Sequence, residues 1–293
     1  MSQGFLASEY APAQPDSAGF YVIPCPFERS VSYGHGTRNG PDAILLASQE
    51  LEALESGMAP GKAGIYTMPP VNTEGSAEAV LVRIEATVEK ALENGAIPVL
   101  LGGEHTVALG AIRALAVAAQ KNGEPFGIVQ FDAHADLRDS YKGDKYSHAS
   151  VMRRVIDEMG IPLVQIAVRD ISPEEVEVRE LHNVTHYDAY FLARVGLPAA
   201  PLPENFPRNI YISFDVDAFD SSLMPATGTP SPGGLNWRET QFILEACVKN
   251  RRVIGLDVVE LAPIENLHHA SFTAAKLVHL LMGLAHESQS VKQ

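Results

Sequence analysis

Two short segments each carry carboxylates two residues apart, directly after an apolar run. Phe131-Asp132-Ala133-His134-Ala135-Asp136 closes the run that starts at Phe126, and Phe214-Asp215-Val216-Asp217 follows Ile210-Tyr211-Ile212. Side chains of a strand alternate between faces, so the spacing predicts Asp132, His134 and Asp136 on one face, and Asp215 and Asp217 likewise. Neighbouring buried carboxylates repel, and at least one must hold its proton unless a cation sits between them. One Asp-x-Asp is a weak signal. A second on another buried strand, with a histidine beside the first, is a strong one. The plainer reading, a solvated strand end with incidental charges, fits poorly after runs as apolar as these.

Two further strand ends matter. Gly102-Gly103-Glu104-His105-Thr106 ends one apolar run, and Asp257-Val258-Val259-Glu260 ends another. A lone histidine such as His105 is ordinarily structural and gains interest only beside the aspartates. Glu260 is either an internal salt-bridge partner or a carboxylate for a cationic substrate, since a planar guanidinium pairs bidentately with a carboxylate. His105, His134, Asp132, Asp136, Asp215 and Asp217 make a ligand set of nitrogen and oxygen without thiolate. It suits Mn2+ and, less decisively, Co2+, Ni2+ or Zn2+. Six ligands exceed the need of one catalytic ion and suit two ions sharing carboxylates.

The elements that must hold these residues alternate. Short β-branched or aromatic runs predict strands over 20–23, 97–101, 126–131, 163–168, 210–214 and 253–259. Helical periodicity predicts helices over 77–94, 106–120, 148–159, 173–181, 237–249 and 271–286. Ser172-Pro173-Glu174-Glu175 is a helix start: a capping serine, proline at the first position, then acids. Strands alternating with helices give βαβ units and a mostly parallel α/β sheet, with chemistry at the strand C-termini. A closed eight-fold barrel is the competing arrangement. No repeat or linker divides the chain.

Bulk properties narrow the function. The 293 residues are 46% hydrophobic and 20% charged, enough for one large core. A net charge of −14 argues against nucleic acid and anionic membranes as partners. No run of 18 apolar residues predicts a membrane span, and the polar start over 1–19 lacks the basic opening of a targeting signal. Cys25 and Cys247 cannot form a disulfide framework and are expected as buried hydrophobes in a reducing cytoplasm. His35, His182, His186, His268, His269, His279 and His286 are given no role.

With these motifs in order, the sequence resembles the arginase and agmatinase (ureohydrolase) family. The resemblance rests on Gly-Gly-Glu-His at 102–105, Asp-Ala-His-Ala-Asp at 132–136, Ser-Phe-Asp-Val-Asp at 213–217, Pro-Ala-Thr-Gly-Thr-Pro at 225–230 and Asp-Val-Val-Glu at 257–260. Gly36-Thr37-Arg38 and Gly40-Pro41 match the family's N-terminal loop. It implies one three-layer α/β domain over 1–293 around a parallel eight-stranded sheet, assembled as a homotrimer or homohexamer. It implies two Mn2+ ions, one held by His105, Asp132, Asp136 and Asp215, the other by Asp132, His134, Asp215 and Asp217, with Asp132 and Asp215 bridging.

The implied reaction is hydrolysis of a guanidino compound by a metal-bridging hydroxide. Glu260 would hold the guanidinium, Asp136 would orient the hydroxide and pass its proton to the leaving amine, and His148 would shuttle protons at the pocket. Leu137-Arg138-Asp139 with Tyr146-Ser147-His148 is similar to agmatinases, which points to agmatine and to urea and putrescine as products. Arginine, guanidinobutyrate or another guanidino acid, formiminoglutamate, or a non-catalytic role are the alternatives. Glu104 and Thr106 depart from the usual Asp and Ser, Ala149 from Gly, and Phe219-Asp220-Ser221 from Leu-Asp-Pro. A binuclear phosphoesterase would want a basic cluster for phosphate, and a serine hydrolase a Gly-x-Ser-x-Gly; neither occurs. Gly34 to Gly40 lacks the spacing of a dinucleotide loop.

Overall fold

In the computed structural model, which describes residues 4–290, eight strands form one sheet. They are β1 (Phe20–Cys25), β2 (Ile65–Thr67), β3 (Ile97–Gly102), β4 (Phe126–Phe131), β5 (Leu163–Ile166), β6 (Thr185–Tyr187), β7 (Asn209–Asp215) and β8 (Arg252–Val259). The order is β2-β1-β3-β8-β7-β4-β5-β6, and every pairing is parallel. With β2 and β6 as edges, the sheet is open, which rules out the closed barrel.

Eight α-helices cover the sheet: α1 (Gly40–Ala47), α2 (Ala77–Glu93), α3 (Ala108–Asn122), α4 (Val151–Met159), α5 (Pro173–Leu181), α6 (Ala189–Val195), α7 (Trp237–Val248) and α8 (His268–Ser288). Strand residues alternate between two cores. Phe20, Val22, Val99, Leu101, Val129 and Phe131 pack with α1, α7 and α8. Tyr21, Ile23, Leu100 and Ile128 pack with α2, α3, α4 and α5. Both faces being dry, the strands read as continuous apolar runs, as parallel strands between helix layers do. The result is a single three-layer α/β domain.

Local signals behave as their chemistry demands. Ser172 accepts from the Glu175 amide while Glu175 accepts from the Ser172 amide, closing the capping box on α5. The strands β2 and β6 escape sequence reading because three half-exposed residues carry no alternation to detect. Helices α1 and α6, eight and seven residues long, are similarly faint. The strand expected over 163–168 stops at Ile166, because Ala167 turns to φ 74°. His105–Val107 and His148–Ser150 are single 3-10 turns in front of α3 and α4 rather than parts of them. Cys25 and Cys247 are free and buried. Among the described residues, no helix is long and apolar enough to cross a membrane.

Candidate metal centre

The four segments singled out by their chemistry sit on β3, β8, β7 and β4, which are consecutive neighbours at the middle of the sheet. Parallel pairing puts all four C-termini at one end. Residues up to 155 positions apart in sequence therefore meet: the His105 amide donates to Glu260 Oε1 at 2.7 Å. Chain progress from β4 to β6 runs toward one edge while β1 to β3 fill the other half. The site lies at the reversal, where open α/β sheets leave a crevice.

His105 is the deepest member. Its Nε2 lies 2.9 Å from Ser213 Oγ, which in turn donates to Asp257 Oδ1 at 3.1 Å. The serine proton being committed to the carboxylate, Nε2 carries the hydrogen and donates to the serine oxygen. Nδ1 then points its lone pair at oxygens: Asp136 Oδ2 at 3.0 Å, Asp132 Oδ2 at 3.1 Å and Asp215 Oδ2 at 3.6 Å. Nδ1 is buried and faces these carboxylate oxygens. A buried nitrogen ringed by acceptors needs a proton or a cation between them.

A second cluster shares a member with the first. His134 Nδ1 lies 3.0 Å from Asp217 Oδ2 and 3.4 Å from Asp132 Oδ1. Asp132 thus turns one oxygen to each histidine. His105, Asp132 and Asp136 form one group able to hold a cation, and Asp132, His134 and Asp217 the other. Asp215 falls in neither tight group. Its Oδ2 adjoins the first, and its Oδ1 accepts from the Asp217 amide at 2.8 Å.

Strand alternation is not what brings these side chains together. β4 ends at Phe131, so residues 132–136 are loop. His134 makes a bridge to Asp170, and Asp136 sits at φ 52°. Glu260, just past β8, sits at φ 65°. Two non-glycine residues of one site in the left-handed region cost on the order of 1 kcal/mol or more each, and such strain gathers at functional sites. Gly103 answers a different need: any Cβ there would lie 2.0 Å from the Phe27 carbonyl oxygen.

The clusters open on a cavity of about 400 Å3 whose wall includes Glu260, His148, Arg138, Tyr141 and Thr227. His148 is held at both ring nitrogens, Nδ1 by Ser30 Oγ and Nε2 by Ser32 Oγ, each at 2.9 Å. Ser30 is fixed in turn by Glu104, which accepts from the Ser30 amide at 2.6 Å, its hydroxyl at 2.7 Å and the Arg29 amide. Thr106 also donates to Glu104, at 2.6 Å. The two departures in the Gly-Gly-Glu-His-Thr segment are therefore partners of each other.

Crowding shows in the titration of the site. Burial opposes charge on His105, yet its bonds to Asp132 and Asp136 hold its pKa well above the ordinary value. Burial likewise opposes charge on His134, but Asp217 and Asp132 outweigh it and push the imidazole up to about 12. Burial and then the Asp132 charge raise Asp136 to about 7. Burial, Asp217 and Asp132 raise Asp215 well above the carboxylate range. Burial and Glu104 do the same to Glu260. Asp132, despite its burial, is held low by its bonds to His105 and His134. Burial and repulsion from His134 and His105 bring His148 down to about 4. Protons here balance a charge that a divalent cation would balance better.

The pattern that describes the Arginase family matches residues 18–283. The chain belongs to the arginase family. This arginase-family chain is 42% identical over 274 residues to an N(1)-aminopropylagmatine ureohydrolase of Thermus thermophilus, covering 92% of this chain and 91% of that protein. It is 36% identical over 297 residues to an N(1)-aminopropylagmatine ureohydrolase of Synechocystis, covering 98% and 95%. Its fold superposes on the agmatine ureohydrolase of Thermoplasma volcanium with a TM-score of 0.86 at 30% identity, over 98% and 96% of the two chains. The enzyme class follows: this is an agmatinase-like ureohydrolase.

Sequence reasoning passed over Gln130 and Gln165. Both are fully buried within otherwise apolar strands, and Gln130 donates to Asp132 Oδ2 at 2.7 Å. The signal was there: one amide in the middle of each apolar run. Ser30 and Ser32, on a loop far away in sequence, carried no such signal.

Proposed function

We propose that this chain hydrolyses the guanidino group of N(1)-aminopropylagmatine, releasing urea and leaving the corresponding triamine. The names of the two relatives at 42% and 36% identity support this choice of tail. Agmatine, which would give urea and putrescine, is the second reading, favoured by the structural likeness to an agmatine ureohydrolase. In either case water adds to the guanidinium carbon, the C–N bond to the tail breaks, and the tail nitrogen leaves as an amine. The observation that carries the reading is buried Asp132, shared between two His-Asp clusters whose His105, His134, Asp136 and Asp217 line the cavity.

The residues present fit a pair of divalent cations: an orphaned buried imidazole nitrogen, four carboxylates and no thiolate. His105, Asp132, Asp136 and Asp215 would hold one ion; Asp132, His134, Asp215 and Asp217 would hold the other, with Mn2+ as the proposed metal. When bound, such ions supply Lewis acidity and acidify water. The remaining work belongs to the chain. Glu260, held by the His105 amide, offers its carboxylate to the guanidinium and lines it up. Asp136, whose carboxylate stands 3.0 Å from His105 Nδ1 at the cavity wall, takes a proton from the attacking water and returns it to the leaving nitrogen. His148, neutral at pH 7, passes protons between cavity and surface by way of Ser32 and Tyr141, whose oxygens lie 3.1 Å apart. Assembly as a homotrimer or homohexamer and residence in the cytoplasm complete the proposal.

Urea release from N(1)-aminopropylagmatine, agmatine, arginine and guanidinobutyrate, and formamide release from formiminoglutamate, measured with Mn2+ supplied, test it. The expected kcat/KM is about tenfold higher for the aminopropyl compound than for agmatine, and far lower for the acids. Preferred turnover of arginine, or no turnover of any guanidine, overturns the reading.

A further inference from the structure

Two glutamines lie side by side in the middle of the sheet, on adjacent strands and in register: Gln130 of β4 pairs with Gln165 of β5. Both are fully buried on the face covered by α2 to α5. Apolar residues would fill such positions without any need for partners, so buried amides are kept only where their bonds have a use.

Their bonds form one continuous line. Arg179 on α5, itself buried, donates from Nε to Gln165 Oε1 at 2.7 Å. Gln165 Nε2 donates to Gln130 Oε1 at 2.5 Å and to the Ala135 carbonyl at 2.7 Å. Gln130 Nε2 donates to Asp132 Oδ2 at 2.7 Å. At the outer end, Arg179 Nη1 donates to both carboxylate oxygens of Asp188, at 3.0 and 3.1 Å.

The direction of this line is forced. A guanidinium has only donors; an ionised carboxylate and a backbone carbonyl have only acceptors. Neither amide can flip without setting like against like at both its ends. The amide dipoles therefore stand head to tail, with a fixed cation behind them and their positive end on Asp132. The Ala135 contact ties the same line to the loop that carries His134 and Asp136.

We propose that Arg179, Gln165 and Gln130 are positioning residues that fix the rotamer of Asp132, so that its two oxygens stay divided between the two cation clusters. None of the three residues lines the cavity on which the clusters open. Their role rests on the reading of Asp132 as a metal ligand. Its effect falls on metal affinity first, because partners of a ligand cost about 10–100-fold in affinity when removed.

The test is calorimetric Mn2+ titration of the unchanged chain and of Gln130→Leu, Gln165→Leu and Arg179→Met, with the thermal midpoint of each metal-free protein recorded alongside. The expected result is a graded loss: about 10–100-fold for Gln130→Leu, less for Gln165→Leu, least for Arg179→Met. Arg179→Lys, which keeps the cation, recovers part of its loss. At saturating Mn2+ the kcat of each variant returns toward that of the unchanged chain. The double variant Gln130→Leu/Gln165→Leu separates positioning from packing. With both amides gone, its metal-free midpoint recovers toward the unchanged value while its weak Mn2+ affinity does not. Should Gln130→Leu fail to fold, Gln165→Leu, which leaves every ligand untouched, gives the same reading. Unaltered affinity in the folded variants, or affinity that follows the thermal midpoint through the whole series, overturns the proposal. If the unchanged chain takes up no Mn2+, the metal reading itself falls and the line's role with it. If it does and the variants match it, only the line falls.

Discussion

The two cation clusters use the same donor types at different depths. His105 is 1% exposed, and its second nitrogen is locked through Ser213 onto buried Asp257. His134 is 32% exposed and faces the cavity, placed by its backbone: its amide donates to Asp132 Oδ1 at 2.6 Å, and the Ala133 amide donates to Asp217 Oδ1 at 2.9 Å. The inner cluster is framed by side chains behind it, the outer by a loop and by solvent. Depth and framing should divide the labour: a tightly held inner ion and an exchangeable outer one beside incoming substrate.

The largest effect falls on the residue common to both clusters. Asp132→Ala should remove both ions and take urea release below about a thousandth of its value. Metal content by mass spectrometry and a urea assay read this together. Retention of two equivalents of Mn2+ in this variant would end the shared-ligand picture.

The next test splits the pair. His134→Ala should leave one Mn2+ per chain with little change in thermal midpoint, since its side chain is part solvated. His105→Ala should lose the inner ion and also destabilise the fold by about 1–3 kcal/mol, because Ser213 and the surrounding carboxylates lose their buried partner. Equal thermal losses in the two variants would contradict a difference in framing.

A smaller effect sharpens the inner frame alone. Ser213→Ala removes the acceptor that fixes the His105 tautomer. It should weaken the inner ion about tenfold and leave the outer unchanged, read as two separate steps in a titration. A uniform shift of both steps would place Ser213 outside the inner cluster's control.

How much of this was legible depended on where each signal lives. The buried central strands β3, β4, β7 and β8 show in sequence because both faces are apolar, and their ends therefore frame the acids. The strands β2 and β6, three residues each and half exposed, had nothing to show. Asp132, His134 and Asp136 were found by a rule that does not apply to them: they lie past the end of β4, and the left-handed turn at Asp136, not pleat alternation, aims the last carboxylate. The meeting of four strand ends was legible only as a family likeness, since strand order is set by crossovers that no local pattern records. His148 was picked out, but its serine clamp was not, because Ser30 and Ser32 lie more than 110 residues away.

The smallest effect concerns protons and distinguishes the half-buried imidazole of His134 from its buried neighbours. In the metal-free protein, His134 is raised from 6.5 to about 12 by its aspartates against the pull of burial. A group whose folded pKa exceeds its unfolded value stabilises fully below the unfolded pKa and loses that contribution as pH rises toward the folded one. For His134 the loss begins near 6.5 and continues through alkaline pH. Asp136, raised from 3.8 to about 7, acts in the same direction but is spent by neutrality. Metal-free protein should therefore lose about 2 °C or more of thermal midpoint between pH 7 and 9, a modest figure because His134 is partly solvated. The metal-loaded protein has already surrendered these protons and should vary less. The gap between the two midpoints should widen with pH, and His134→Ala should flatten the metal-free curve. A gap that stays constant from pH 6 to 9 would show that protons and cations do not compete at the outer cluster.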